Sequence, residues 1–338
     1  MLFSKPNGTS VALIDINSSD VGAALVRIEE GKPPSLCYSV HIPLEGSGGN
    51  LTAEALLALE EIGNRLVREG APALRAVVGE GRVDRVLVSL GSPWQEASIE
   101  TKKVQKAVPF TYTKSFTVDL LGPAVDVSGR SVTRTVIATL LNGYLTPEPY
   151  GKQAKRAEAI VLTTSLDNEI VDSVEKILRS AFHTRDIQYS SFLEAAYHSI
   201  QSLYPHEKDF LFICVTREAT EIISVKRGYL LDAGAISCGS SSFSTAQGCV
   251  GSLSGLLREF AARHALPRTI FVLTDDKSAG TVKEAFNDSS LHTLWLSDVP
   301  LATIPVQASQ FSGAVKTQGF AEGNARIAML ALMAASES

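Results

Sequence analysis

One feature constrains this chain more than any other: a strand hairpin that occurs twice. VALIDI at 11–16 is a nearly continuous apolar run, as in a strand covered on both faces, and GAALVRI at 22–28 follows after a short polar tip. EEGK at 29–32 then supplies a turn, and SLCYSVHI at 35–42 reads as a third strand. The same order returns at FLFICV, 210–215, continuing through EIISV, the turn KRG and YLLDAGAI. Each copy is followed by helical patterning, so the spacing predicts an internally duplicated α/β chain with two lobes. The length of 338 residues agrees, because it exceeds what one hydrophobic core usually organises.

Between the copies, Leu56, Leu59, Ile62, Leu66 and Val67 recur at helical spacing, and Gly70 with Pro72 is expected to stop that helix. RVLVSLG at 85–91 reads as a buried strand. The residues after it change character and alternate polar with apolar positions, as in SIETKKV and FTYTKSFTVDLL, which predicts an inserted subdomain. EAIVLTTSL closes it. Asp167 then caps a helix carrying Ile170, Val174 and Leu178, and Ser191 with Glu194 has the form of a capping box. In the second lobe the pattern predicts a helix at about 245–265, the strand TIFVLTD, a helix over 281–286 and the strand TLWLS. A final helix begins near Asn324.

A net charge of -5 without a dominant basic run argues against nucleic acid as a partner. The first residues, MLFSKPNGTS, lack the apolar core of a signal peptide, and no stretch approaches the roughly 20 apolar residues of a membrane-spanning helix. A cytoplasmic location without direct membrane insertion is therefore expected. Cys37, Cys214, Cys238 and Cys249 show no C-x-x-C spacing, and the six histidines form no H-x-x-x-H pair. They are read as free thiols acting as small hydrophobes, with neither zinc nor a disulfide expected.

VALIDINSSDVGAALV resembles the first phosphate motif of the actin-like ATPases, D-x-G-S-S, and FICVTREATEIISVKRGYLL is similar to the second, D-x-G-G-G-T-T-D. The insertion after RVLVSLGSPW and the NGY and P-x-G elements at 142–151 resemble the FtsA and PilM branch, whose insertion is called SHS2-like. The resemblance implies a two-lobed actin-like (ribonuclease H-like) fold with an SHS2-like α+β insert and a reduced second lobe, the further subdomain of FtsA-like lobes being missing. The implied division is 1–84 for the first part of lobe one and 85–165 for the insert. Residues 166–208 then link the lobes, 209–310 form lobe two, and 311–338 return to lobe one.

Phosphate turns need backbone N–H groups close to phosphate oxygens, which glycine permits, and carboxylates to hold Mg²⁺ and its water. By the resemblance, Asp15, Ser18 and Ser19 match the first motif, and Asn17 replaces glycine with a residue that tolerates a left-handed backbone. The competing reading is a turn capped by the Asp15 and Asn17 side chains. In the second motif Cys214 stands at the acidic position, and Thr216, Arg217 and Glu218 replace the glycines. A Glu218 carboxylate about 4 Å from a phosphate charge costs about 4 kcal/mol at an effective dielectric near 20, unless it turns away. Arg217 is read as an exposed turn residue and Glu221, where the motif ends in aspartate, as solvated. The glycine-rich adenosine turn expected after TIFVL is Thr274-Asp275-Asp276-Lys277. The site is read as vestigial, with no cofactor or weakly held ATP and Mg²⁺.

The resemblance then implies a scaffold that recruits short cytoplasmic segments of membrane proteins at the inner membrane in type IV pilus assembly, with self-association as a further option. An FtsA-like division protein or a filament-forming ATPase is the alternative, and a small-molecule kinase would need a cleft aspartate that no motif supplies. FtsA-like proteins end in an amphipathic membrane helix. NARIAMLALMAAS at 324–336 is instead apolar nearly all round and is read as a core helix of lobe one.

Overall fold

The computed structural model describes residues 8–46, 49–122, 130–243, 247–275, 300–318 and 324–337, with 279, 280, 282, 291 and 293–295. Strand β1 (Thr9–Ile16) is buried along almost its whole length, and β2 (Asp20–Ile28) and β3 (Ser35–Pro43) extend it as an antiparallel meander. Helix α1 (Leu51–Arg65) starts at Asn50, whose side chain accepts from the Ala53 N–H. The expected stop at Gly70 and Pro72 does not occur. A π-helical turn, Leu66–Gly70, passes directly into α2 (Ala71–Val78), which ends at the left-handed Gly79. Pro72 lies in the first turn of α2, directly after the π-helical turn, so its missing N–H interrupts the bonding pattern without stopping the helix. Strand β4 (Arg85–Leu90) then pairs parallel with β1, so it belongs to the first sheet although the sequence boundary groups it with the insert.

The insert is an antiparallel sheet of its own. It contains β5 (Gln95–Thr111), β6 (Arg130–Leu141), the short β7 (Tyr144–Leu145) and β8 (Gln153–Asp167), in the order β5-β8-β6-β7. The alternation through FTYTKSFTVDLL breaks at Thr113, which caps α3 (Lys114–Leu121) by accepting from the Phe116 N–H. Asp167 caps α4 (Asn168–Phe182) as expected. A strand that the pattern does not announce, β9 (Ile187–Ser191), pairs parallel with β4. Ser191 caps α5 (Phe192–Leu203) through the Leu193 N–H, but Glu194 does not reach back to close a capping box, since its carboxylate accepts from Ser190 Oγ.

Lobe two repeats lobe one. β10 (Phe210–Val215), β11 (Thr220–Lys226) and β12 (Tyr229–Ile236) form the second meander, followed by α6 (Ser240–Phe243) and α7 (Gln247–Ala261). β13 (Thr269–Leu273) pairs parallel with β10, and β14 (Ala302–Pro305) pairs parallel with β13. The sheet order β3-β2-β1-β4-β9 thus recurs as β12-β11-β10-β13-β14, with the first sheet gaining β15 (Lys316–Thr317) beside β3. The strand expected at TLWLS is absent where described, since residues 293–295 form a turn and bend, and β14 takes the edge place instead. The helix expected over 281–286 lies outside the described residues except for Val282. Cys238 and Cys249 form a disulfide with Cα atoms 5.7 Å apart, against the expectation of free thiols. They lie just before α6 and in the first turn of α7, a closeness that spacing alone does not reveal. Cys37 and Cys214 are free and buried.

Strand parity sets the layers, because successive side chains point to opposite faces. Ala12, Ile14 and Ile16 pack with α1 and α4 on the outer face of sheet one, and Leu211, Ile213 and Val215 pack with α7 outside sheet two. The opposite parity, Val11 and Leu13 with Phe210 and Phe212, meets a middle layer made of α5 and the last helix, α8 (Ala325–Ser336), which starts at Asn324. Each such large side chain contributes about 1.5–3 kcal/mol by burial, so this layer welds the lobes together. No helix among the described residues is long and apolar enough to cross a membrane.

Candidate functional site

The parity that puts Val11 and Leu13 inside also turns Asp15 inward, and it does the same for Cys214 on β10 and Glu221 on β11. The register pairs Cys214 with Glu221, and all three side chains converge on the middle layer. There α8 supplies Arg326, whose side chain is almost wholly buried. Its Nε donates to Asp15 Oδ2 at 2.5 Å, Nη2 to Asp15 Oδ1 at 3.0 Å, and Nη1 to Cys214 Sγ at 2.9 Å. The guanidinium also lies 3.5 Å from the centroid of the Phe192 ring. Burial would push the Arg326 pKa down, but Asp15 foremost lifts it above its ordinary value, so the group is a permanent cation. Burial pushes the Cys214 thiol up to about 12, which keeps it protonated.

Glu221 is buried rather than solvated. Its Oε1 accepts from Gln95 Nε2 at 3.1 Å and from the Ser92 N–H at 3.3 Å, which ties lobe two to the segment after β4. Burial raises its carboxyl above the usual range, against the opposing pull of Arg326. Arg326 is thus a single cation set among Asp15, Cys214 and Glu221.

The two hairpin tips bond directly to each other. Ser18 Oγ accepts from the Glu218 N–H at 3.0 Å and donates to Thr216 Oγ1 at 2.8 Å. Ser19 Oγ accepts from the Arg217 N–H at 2.8 Å. The Glu218 side chain turns away and is half exposed, while Arg217 is drawn in and donates to the Leu44 carbonyl of lobe one. Asn17 takes no left-handed backbone. Its Oδ1 accepts from the Ser19 N–H at 2.8 Å, and its Nδ2 donates to Asp20 at 2.8 Å and Asp15 at 3.1 Å, which is the side-chain-capped turn. Asp15, Asn17, Ser18 and Ser19 therefore lie together at the lobe interface, each engaged by protein groups.

Beside them is a cleft of about 550 Å³, lined by Asp20, His41, Thr274, Asp275, Gln307 and Ser309 among others. Burial, then the neighbouring charge of Asp15, raises the Asp20 carboxyl. These residues do not fit a magnesium nucleotide. Both Asp15 oxygens are taken by Arg326, and the amides of Arg217 and Glu218, which would face phosphate, are satisfied by serine hydroxyls. The cleft wall adds the carboxyl side chains of Asp20 and Asp275, whose charge opposes a triphosphate. Arg326 is the site residue that sequence reasoning misses. Its signal is a lone charge within an otherwise apolar helix, which a buried position tolerates only opposite a counter-charge.

No known family model and no curated protein sequence matches the chain. Solved structures do. A chain of the PilM-PilN type IV pilus biogenesis complex aligns over 95% of this chain and 97% of its own length, at 15% identity and a TM-score of 0.56. A Bacteroides thetaiotaomicron protein described as having an actin-like ATPase fold and unknown function aligns over 99% and 98%, at 11% identity and a TM-score of 0.48. An Aquifex aeolicus member of the Ppx/GppA family aligns over 96% and 89%, at 11% identity and a TM-score of 0.38. Identities this low speak to fold alone. With the duplicated sheet order and the first of these alignments together, the chain has an actin-like ATPase fold.

Proposed function

We propose that this chain is a non-hydrolysing scaffold of the PilM/FtsA type, which binds short cytoplasmic segments of membrane proteins at the inner membrane during type IV pilus assembly. The observation that carries the reading is Arg326, a built-in cation held by Asp15 where a metal–phosphate group would sit. Asp15, Asn17, Ser18 and Ser19 are then the remnant of a phosphate hairpin, converted to lobe closure. The alignment with a chain of the PilM-PilN complex supports a membrane-protein partner of the same kind. We read the four-stranded insert as the SHS2-like subdomain and the lobe after it as reduced. β5 is an edge strand of that insert, packed in part against β12, and we assign strand addition to this edge.

A fluorescence-anisotropy screen tests this, using synthetic peptides from the cytoplasmic ends of single-span inner-membrane proteins of the source organism. The reading expects a saturable peptide whose affinity is unchanged by ATP with Mg²⁺. Absence of any binding peptide, or binding that requires ATP, overturns it.

A further inference from the structure

The insert has an end that none of this uses. β5 leaves its ladder between Gln105 and Phe110, so Lys106, Ala107, Val108 and Pro109 stand out from the sheet at its far end from lobe one. The same end carries the β6–β7 turn and the turn before β8, because Asn142 caps the Lys155 N–H and Gly151 donates to the Tyr112 carbonyl. Five of the eight large exposed apolar side chains among the described residues belong to this insert, with Val108 72% and Tyr144 77% exposed. Beneath them Tyr112, Phe110 and Phe116 form a packed aromatic base, with Tyr150 stacked on Tyr112.

Charge accompanies this apolar surface. Lys106, Lys114, Lys152 and Lys155 ring the same end, all exposed and without a carboxylate partner among the described residues. The Lys106 ammonium lies over the Phe110 and Phe116 rings and that of Lys114 over Tyr150, so the positive charge sits on the aromatic base. The insert sequence from 92 to 165 holds nine basic and six acidic residues, within a chain whose net charge is -5. Basic, aromatic and aliphatic groups are thus concentrated on the tips of separate turns. A peptide needs a continuous groove or strand edge, whereas turn tips presented end-on suit a planar partner. Tyrosine with its apolar body and polar hydroxyl suits headgroup depth, and lysine suits anionic headgroups.

We propose that the far end of the insert is a peripheral contact site for an anionic lipid surface, seated at headgroup depth without inserting a helix. This goes beyond the scaffold reading and does not depend on it, since it needs neither a peptide partner nor a nucleotide.

The test is co-sedimentation of the full chain with vesicles of phosphatidylcholine alone and with phosphatidylglycerol added, at low and high salt. Expected is binding to the anionic vesicles only, reversed by salt, with about fivefold loss for each lysine neutralised, hence about 25-fold in K106Q/K114Q. V108D is expected to abolish it, while R185E on lobe one leaves it unchanged. All these side chains are exposed, and unchanged circular dichroism melts confirm that the variants fold. No binding to anionic vesicles at low salt overturns the proposal, as do equal binding by wild type and K106Q/K114Q and equal loss in R185E. Preference for an acidic peptide over lipid at the same lysines overturns it too.

Discussion

Replacing Arg326 by methionine keeps most of the volume and removes the charge. The guanidinium makes two bonds to Asp15, at 2.5 and 3.0 Å, and one to Cys214 at 2.9 Å, and its side chain is almost wholly buried. Removing one partner of a buried pair leaves the other charge without compensation, at a cost of about 3–5 kcal/mol. R326M is therefore expected to lose about that much in urea denaturation at pH 7. D15N alone should lose a similar amount, because the buried guanidinium then lacks its principal partner. The double variant D15N/R326M removes both charges, so its loss should fall short of the summed singles by about 3 kcal/mol, at the upper end of couplings between contacting residues. A loss below about 1 kcal/mol in R326M, or strict additivity in the double variant, would refute the claim that the two residues form a buried closure pair.

Burial raises the Glu194 carboxyl to about 7 from 4.5. The folded chain thus binds this proton more tightly than the unfolded chain, so this contribution to stability is present below pH 4.5 and is lost as pH rises through 7. E194Q should flatten that part of the pH–stability profile and gain up to about 3 kcal/mol at pH 8, and an unchanged profile would count against the assignment. The double variant S18A/S19A leaves the Arg217 and Glu218 amides without their acceptors. Their hydrogen exchange should accelerate, with about 1–3 kcal/mol lost in local opening free energy, and unaltered exchange would mean the latch bonds are not formed in solution. A Cβ at Gly70 would lie 2.9 Å from Leu25 Cδ1 and 3.1 Å from Tyr38 Cδ1, so G70A should cost about 1–3 kcal/mol by overpacking, read from thermal melts.

The long buried strands are legible in the sequence because runs such as VALIDI and FLFICV admit no other use, and their repetition carries the duplicated sheet order. Short edge strands are not. IQYSS at β9 and ATIP at β14 have little apolar content, and only the parallel partner beside each makes it a strand. Gly70 and Pro72 mislead for a related reason. The glycine is needed where the helix approaches Leu25 and Tyr38 closely, and the π turn keeps the axis going. At the site, the residues of both hairpins are readable from the resemblance, but what they contact is not. Asp15 and Arg326 are separated by nearly the whole chain and meet only because β1 and α8 share one layer.

The closure of the lobes over Arg326 is tested most directly by titrating the full chain with ATP and Mg²⁺ in an isothermal calorimeter. The account predicts no saturable heat up to about 1 mM, where binding would be worth only about 4 kcal/mol. Saturation in the micromolar range would contradict it, because a nucleotide held that tightly would have to displace Arg326 from Asp15 and part the serine latch.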